Sequence, residues 1–318
     1  DMTFLRPSFI FLFLDGVGLG PVTAANPLAA IDNTPFLVSL LGRPLTTGIA
    51  IQQPGVRVQP IDACLGIPGR PQSATGQTTL YTGINAAQFR GQHQTAFANG
   101  SLRQLIESHG MFKQVMALGG TATLANLYSP AYFEAIAQRR IRYAVGTLLN
   151  LTARLPFRMQ YEYERQEAIF WDVTGEIASA RGVTQKPITP QDAGKRLAHL
   201  GSQHTLTLFE CFLTDFAGHA QNWQRAVAVL QRVDSFLRSL VMQLPAHVTL
   251  VITSDHGNLE DLSTKCHTLN SVPLIAIGNQ AGAFQNVTDL TGIVPVILNC
   301  LRSVSSGRSG EELPNGFP

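Results

Sequence analysis

Carboxylate, imidazole and hydroxyl side chains occur in this chain where hydrophobic runs end or where turn-like segments begin. Aspartate and histidine are ligands that manganese and zinc accept in proteins, and a serine hydroxyl becomes a nucleophile when a neighbouring group activates it. None of these residues is persuasive alone. Together they could bind two adjacent divalent cations beside one nucleophile, which predicts a metal-dependent enzyme acting on a phosphate ester. They are Asp15, Ser73, Asp215, His219, Asp255, His256 and His267.

Each motif also has a structural explanation. Asp215 and His219 share one face if their segment is helical and could then bind one cation, but the aspartate could equally cap the helix. Asp255 and His256 follow an apolar run, where the pair could diverge toward two cations or form part of a turn. A single histidine such as His267 is more often structural than a ligand.

Two glycine-containing segments leave similar alternatives open. Asp15 with Gly16 and Gly18 could form a site or a plain strand-to-loop turn, and the G-x-G-x-x-G dinucleotide fingerprint is missing. Ser73 precedes a helix-like segment, where it is either an N-cap or a hydroxyl beside backbone N–H groups that could bind phosphate. Its Ser-Ala-Thr-Gly-Gln context differs from the G-x-S-x-G elbow, which disfavours an ordinary Ser-His-Asp hydrolase.

The elements that position these residues are predicted from hydrophobic patterns. Continuous apolar runs predict central parallel strands, and intervening amphipathic stretches predict helices. The predicted strands are residues 9–14, 206–213, 248–253 and 272–277, with 115–118 as a candidate fifth, and the predicted helices are 101–109, 190–200 and 223–244. The alternation predicts an α/β fold, a three-layer α/β/α sandwich with a mainly parallel sheet.

The candidate ligands follow these strands. In open α/β sheets, ligands bind beyond the carboxyl ends of the strands. Asp15 comes directly after the first strand, Asp215 follows the second, and Asp255 with His256 follows the third. Three strands would therefore deliver ligands to one edge of the sheet, which is the strongest structural argument for a site.

The chain divides by composition into a core and an insert. We expect residues 1–125 and 189–318 to form the metal-binding catalytic core and residues 126–188 a small inserted cap or lid. The insert is rich in aromatic residues and in arginines that either recognise a second phosphate or a carboxylate or cover a solvated face. These arginines are Arg139, Arg140, Arg142, Arg154, Arg158 and Arg165. The Ser- and Gly-rich residues 303–318 are predicted to be loose.

Bulk composition limits the class of protein. The chain has 318 residues, 45% hydrophobic and 14% charged, with a net charge of +2, which argues against disorder and against a nucleic-acid partner. Its four widely spaced cysteines are predicted to be free thiols in a reducing compartment. No run reaches the roughly 20 apolar residues of a membrane span. We therefore expect a cytoplasmic protein with no membrane partner; the sequence leaves its oligomeric state open.

The combined motif order resembles the alkaline phosphatase superfamily. The segments are Asp15-Gly, Ser73-x-x-Gly, Asp215-x-x-x-His, Thr253-x-Asp-His-Gly-Asn, and His267-Thr before a strand that contains proline. In detail they are similar to the branch of cofactor-independent phosphoglycerate mutase and phosphopentomutase. The resemblance covers residues 5–125 and 189–300, approximately.

The resemblance implies two metal sites and a covalent mechanism. One metal would be held by Asp215, His219 and His267. The other would be held by Asp15, Asp255, His256 and the oxygen of Ser73. The ligand types favour manganese or zinc, with cobalt, iron or magnesium as alternatives. Ser73 would attack phosphorus to give a phosphoserine, which passes its phosphoryl group to water in a phosphatase or to a second substrate hydroxyl in a mutase.

Two departures from that branch favour hydrolysis. The mutase branch has histidine where this chain has Gln77, which cannot act as an acid or base, and its inserted domains are larger. A short cap excludes water less easily. We therefore expect a phosphatase of a small phosphorylated metabolite, with a phosphomutase, a phosphodiesterase or phosphonate hydrolase, and a non-catalytic metal- or phosphate-binding protein as alternatives. Candidate substrate contacts are Arg70, Gln77, His93 and Lys265.

Overall fold

A single mixed sheet organises the chain. The computed structural model describes residues 6–178 and 186–306, and the sheet within them has seven strands in the order β2-β3-β7-β6-β1-β5-β4. The strands are β1 (Ser8–Leu14), β2 (Ile51–Gln53), β3 (Val56–Ile61), β4 (Ala122–Leu124), β5 (Leu206–Cys211), β6 (Val248–Thr253) and β7 (Val272–Ile277).

Helices cover both faces of this sheet. They are α1 (Pro35–Leu41), α2 (Ser73–Thr82), α3 (Ala86–Arg90), α4 (Gly100–His109), α5 (Met111–Ala117), α6 (Pro130–Ala137), α7 (Val145–Thr152), α8 (Gln160–Glu164), α9 (Pro190–Gln203), α10 (Leu213–Ala220), α11 (Trp223–Met242) and α12 (Ile293–Ser306). Short 3₁₀ helices span Pro27–Ala29, Ile31–Asn33, Ala281–Asn286 and Leu290–Gly292. None of the described helices is both long enough and apolar enough to cross a membrane.

The two faces of β1 show why its sequence is a continuous apolar run. Phe9, Phe11 and Phe13 belong to the core on one face, while Ile10 and Leu12 belong to the core on the other. Side chains alternate between the faces of a strand, so a strand covered on both faces is apolar at every position. The α/β fold with two helical layers around a sheet is confirmed.

One predicted strand runs in the opposite direction from the expected one. β1 is parallel to β5 and β6, and β4 is parallel to β5, but β7 is antiparallel to β6. A parallel neighbour requires a crossover connection, usually a helix. Residues 254–271 contain no helix and stay at the carboxyl end of β6, so β7 starts at that edge and runs back.

Two further strand predictions are corrected. Residues 115–118 belong mainly to helix α5, because so short an apolar run does not distinguish a strand from a buried helix. The run 206–213 is a strand only to Cys211, and Leu213 begins helix α10. The predicted helices 101–109, 190–200 and 223–244 are confirmed as α4, α9 and α11.

The predicted insert contains α6, α7 and α8 in its described part. Helix α7 packs against α2, α4 and α5, and Tyr128, Tyr132, Phe133 and Phe157 form an aromatic cluster beside it. The division into core and cap stays a prediction. Of the predicted loose tail, residues 303–306 end helix α12, and residues 307–318 lie outside the described residues.

Candidate metal centre

The candidate ligands meet at the carboxyl ends of three neighbouring parallel strands. Asp15 directly follows β1, Asp215 lies in the first turn of α10 after β5, and Asp255 with His256 follows β6. His267 lies in the loop between β6 and β7. The order β6-β1-β5 in the sheet brings these side chains together.

Asp15, Asp255 and His256 form one potential metal-binding group. Their ligand atoms lie within 4.8 Å of one another, with His256 Nε2 at 3.4 Å from Asp15 Oδ1 and 3.6 Å from Asp255 Oδ2. The Ser73 hydroxyl is 3.2 Å from the same His256 nitrogen. The structure thus brings together all four residues assigned to one metal by the sequence resemblance, and their ligand role stays a prediction.

Asp215, His256 and His267 form a second group, whose ligand atoms are likewise within 4.8 Å of one another. The imidazole rings of His256 and His267 stack with centroids 3.5 Å apart. His219 lies beside this group, because its Nε2 is 3.3 Å from Asp215 Oδ2. Its other ring nitrogen is 2.9 Å from the carbonyl oxygen of Lys265, and its side chain is 43% exposed.

The electrostatics of these groups fit divalent cations. Burial raises the pKa of Asp15 well above its usual value, and the carboxylates of Asp255 and Asp215 raise it further. Burial also raises the pKa of Asp255 to about 7 and lowers the pKa of His256 to about 3. Buried charges are stable only when they are paired or bind metals. The buried Oδ1 atoms of Asp15 and Asp255 have no hydrogen-bond partner in the described structure, so these oxygens are available to a cation.

Two glycines allow the close approach of the ligands. Gly16 has φ +68°, and a Cβ atom there would lie 2.6 Å from Asp215 Oδ1. A Cβ atom at Gly76 in α2 would lie 2.8 Å from the Cβ of Asp255. Both glycines are therefore required by close packing against a candidate ligand.

The position of Ser73 corrects two sequence interpretations. Ser73 is the first residue of α2, and Gln72 occupies the N-cap position, so Ser73 is not the N-cap. The N–H groups of Ala74 and Thr75 donate hydrogen bonds to the carbonyl oxygen of Gln94. They are therefore not aimed at an incoming phosphate, and the distinctive contact of Ser73 is the one with His256.

The four candidate substrate contacts have different surroundings. Gln77 lines the cavity described below, but its side-chain amide donates a 3.1 Å hydrogen bond to Asp255 Oδ2. His93 contacts the carbonyl oxygen of Ile67, and Arg70 and Lys265 are exposed. These last three are absent from the residues that line the cavity, so the structure brings only Gln77 to it.

Sequence reasoning missed Glu260, which organises the loop around the centre. This buried carboxylate accepts hydrogen bonds from the backbone N–H groups of Gly18 at 2.9 Å and Asn258 at 2.8 Å. It also accepts from the Thr268 hydroxyl and from the Asn270 amide. Glu260 thereby connects the loop after β1 to both ends of the β6–β7 loop. Its position two residues after the Asp-His-Gly-Asn motif was the sequence feature that could have identified it.

A cavity of about 690 Å³ lies next to the centre. Asp15, Ser73 and Asp215 line it at the centre, and aromatic and small side chains line most of the remainder. Sequence reasoning also missed Glu210, a buried residue of β5 in its wall. The Tyr81 hydroxyl donates a 2.7 Å hydrogen bond to Glu210. Burial raises the pKa of the Glu210 carboxyl to about 7 although this hydrogen bond lowers it.

Comparison with known proteins agrees with this geometry. Residues 162–303 match the family model of the metalloenzyme superfamily. The chain is 31% identical over 105 residues to a 2,3-bisphosphoglycerate-independent phosphoglycerate mutase of Mycoplasma pneumoniae. The matched segment covers 30% of this chain and 20% of the relative. It is 32% identical over 116 residues to the mutase of that name from Thiobacillus denitrificans, covering 34% and 23%. The matched segments span about a fifth of the length of these relatives.

Solved structures share the fold over nearly the whole chain. A cold-active alkaline phosphatase from the psychrophile Shewanella sp. superposes with a TM-score of 0.54 at 15% identity, covering 92% of this chain and 99% of that one. A Pyrococcus horikoshii protein superposes with a TM-score of 0.55 at 14% identity, covering 98% and 99%. The alkaline phosphatase-like fold and the resemblance to this superfamily are confirmed. Together the comparisons support metal-dependent phosphoryl transfer.

Proposed function

We propose that this chain is a metal-dependent phosphatase that removes a phosphoryl group from a small phosphorylated compound through a phosphoserine on Ser73. The observation that carries the proposal is the position of the Ser73 hydroxyl, 3.2 Å from His256 Nε2. It lies beside the buried carboxylates of Asp15 and Asp255, whose Oδ1 atoms lack hydrogen-bond partners in the described structure. A nucleophile and ligands for a cation thus share one site.

The proposed assignment of residues to two metals follows the sequence resemblance. Asp15, Asp255, His256 and the Ser73 oxygen would hold one divalent cation, and Asp215, His267 and His219 would hold the other. Manganese or zinc fits these oxygen and nitrogen ligands. When bound, such cations lower the pKa of a nearby hydroxyl and balance negative charge on phosphoryl oxygens.

His256 is suited to face both a cation and the serine. Because its pKa is lowered to about 3, the ring is neutral at physiological pH. Its Nδ1 lies 3.4 Å from the carbonyl oxygen of Gly257, a contact that favours the proton on Nδ1. Nε2 then carries the lone pair, which can accept a hydrogen bond from the Ser73 hydroxyl or bind a cation held with Asp15.

The proposed reaction has two steps. The Ser73 hydroxyl loses its proton to solvent and its oxygen forms a bond to phosphorus. The bond from phosphorus to the ester oxygen breaks, and the alcohol leaves with a proton from solvent. Water then attacks the phosphoserine and releases inorganic phosphate. Gln77 cannot supply acid or base chemistry, and its amide is engaged with Asp255. The absence of an acid or base at this position favours hydrolysis over the return of the phosphoryl group to a second hydroxyl.

Phosphorus NMR tests the proposal. Protein reconstituted with manganese or zinc is incubated with sugar phosphates, phosphoglycerates, nucleotides and an aryl phosphate. Growth of free phosphate is expected, and it should disappear in Ser73→Ala but persist in Ser108→Ala, which changes an exposed serine of α4. Phosphate that migrates within a substrate would make the chain a mutase. Full turnover by Ser73→Ala would exclude the phosphoserine.

A further inference from the structure

We infer that the cavity beside the metal centre binds an uncharged, hydrophobic leaving group. The substrate would then be a phosphate monoester of an apolar alcohol rather than a phosphoglycerate or a sugar phosphate. The inference rests on the proposed function, because it assumes that the phosphoryl group lies at Ser73. The inference concerns the part of the substrate that extends from Ser73 into the cavity of about 690 Å³. This volume is within the usual range for sites that bind small molecules.

An aromatic wall begins directly at the centre. Phe216 follows the candidate ligand Asp215 in helix α10, and its ring stacks on Trp171 with centroids 5.4 Å apart and planes 24° apart. Phe212, the N-cap residue of the same helix, meets Trp171 edge-on at 6.2 Å. Phe216 is 48% exposed, although all three residues line the cavity. A large aromatic side chain that faces a cavity beside a reactive centre is suited to cover an apolar ligand.

Another part of the cavity lining is also apolar. Tyr128 and Tyr132 line it with their rings 5.1 Å apart. Their hydroxyls contact the Thr147 hydroxyl at 2.8 Å and 3.0 Å, so both polar ends already have a partner. The small side chains of Ala131 and Ala135 in α6 complete this side. These parts of the lining therefore offer aromatic rings and methyl groups to a ligand.

The polar groups of the lining offer few partners to a carboxylate. The Asn126 side chain donates to the carbonyl of Glu210 at 2.8 Å and accepts from its N–H at 2.9 Å, which occupies both ends of the amide. Glu210 adds an acidic group to the wall. Among the described residues that line the cavity, Arg140 is the one basic side chain, and it is exposed.

None of the other arginines predicted to recognise substrate lines the cavity, and two of them are engaged elsewhere. The Arg158 guanidinium donates to the Thr123 hydroxyl and to the carbonyl of Glu167, and Arg165 pairs with the Glu167 carboxylate at 3.2 Å. A glycerate carboxylate would therefore have Arg140 as its single basic neighbour in the lining. An uncharged apolar group requires no basic partner when it is buried.

The first test compares two esters of primary alcohols, 3-phenylpropyl phosphate and glycerol 1-phosphate, with the metal-reconstituted protein. Burial of the phenyl group should raise kcat/KM for the phenylpropyl ester on the order of 100-fold above that for the glycerol ester. Phe216→Ala should reduce this ratio about tenfold, since part of the wall is lost. Phe89→Ala, which removes an exposed phenylalanine outside the cavity lining, should leave the ratio unchanged.

A second test measures binding without turnover. In the Trp223→Phe variant, Trp171 is the remaining tryptophan, so its fluorescence reports on the aromatic wall. The non-hydrolysable 3-phenylpropylphosphonate should change this fluorescence at concentrations at least tenfold below those required for 3-hydroxypropylphosphonate. The difference is expected because the phenyl ring of the ligand is buried on binding. Adding Phe216→Ala should weaken the phenylpropylphosphonate response.

The outcomes separate the two proposals. Hydrolysis of both esters at equal kcat/KM would overturn the inference and leave the phosphatase standing. Binding of the phenylpropylphosphonate that depends on Phe216, without hydrolysis of either ester, would support the apolar cavity and count against the phosphatase. Equal fluorescence responses to the two phosphonates would overturn the inference whatever the turnover.

Discussion

The side-chain amide of Asn258 donates a 2.8 Å hydrogen bond to Oδ1 of Asp215. This contact joins the loop after β6 to helix α10, and it is possible because Gly218 has no side chain. A Cβ atom at Gly218 would lie 2.7 Å from the amide carbon of Asn258. With Oδ1 held in this way, Oδ2 of Asp215 lies 3.3 Å from His219.

Asn258→Ala should weaken metal binding at the Asp215 group and destabilise the fold. A hydrogen bond to a charged group contributes about 2 kcal/mol, and a free Asp215 side chain would sample more rotamers. We expect a loss of about 2 kcal/mol in urea denaturation and a fall on the order of tenfold in manganese or zinc affinity by calorimetry. Asn279→Ala removes an exposed hydrogen bond to the carbonyl of Ala246 and serves as control. Unchanged metal affinity in Asn258→Ala would show that this contact does not position Asp215.

Glu260→Gln should destabilise the loop around the centre, although glutamine and glutamate have nearly the same size. One Glu260 oxygen accepts the N–H groups of Gly18 and Asn258, and the other accepts from Thr268 and Asn270. A glutamine places an NH₂ group against one of these sets of donors. We expect a loss of about 2–4 kcal/mol in the free energy of unfolding, because buried donors lose their acceptor, together with weaker metal binding.

The control for this prediction is Glu107→Gln, at an exposed position of α4, which should change neither quantity. Denaturation and metal titration of both variants provide the measurement. If Glu260→Gln were as stable as Glu107→Gln, the carboxylate charge would have no structural role in this loop.

The arrangement of the ligands was predictable because each follows an apolar run that ends abruptly. Asp15, Asp215 and Asp255 come after strands that are buried on both faces, and parallel strands end at one edge of the sheet. The direction of β7 was not predictable in the same way. An apolar run contains no information about strand direction; the connection determines it, and here residues 254–271 form a ligand-bearing loop rather than a crossover helix.

The other missed features depend on contacts between residues distant in sequence. Glu210 and Glu260 are buried acids whose partners come from separate elements, Tyr81 for the first and Gly18 for the second. The cavity wall likewise combines Trp171 with Phe216. Local patterns do not reveal such contacts, because only the fold brings these residues together.

Asp215→Asn should lower the metal content of the protein. Asp215 belongs to the group with His256 and His267, and an amide is a weaker ligand than a carboxylate. Elemental analysis should show a decrease from about two metals per chain toward one. His219→Ala should act in the same direction, since His219 contacts Asp215.

The control for metal content is Asp261→Asn. This residue is near the centre, but it bonds to Ser263 and lies outside both ligand groups. It should retain the metal content of the natural chain. Equal metal content in Asp215→Asn and in Asp261→Asn would contradict the proposed assignment of ligands.

Glu210→Gln should change how stability depends on pH. Burial raises the pKa of Glu210 from 4.5 to about 7 in the folded protein, so between these values the folded carboxyl is protonated while the unfolded one is ionised. The stability contributed by the protonated group is complete below the unfolded pKa and is lost as pH rises through the folded pKa. Glutamine does not ionise, and its carbonyl can still accept the hydrogen bond from Tyr81.

The variant should therefore gain stability relative to the natural chain as pH rises from about 5 to about 8, by up to about 3 kcal/mol. Urea denaturation of metal-free protein at both pH values measures this difference, and the carboxylates of the metal centre titrate in both proteins. Glu134→Gln, at an exposed position of α6, should show no such change. Parallel pH profiles for Glu210→Gln and the natural chain would mean that Glu210 titrates at an ordinary pKa, and that the cavity wall carries a negative charge at neutral pH.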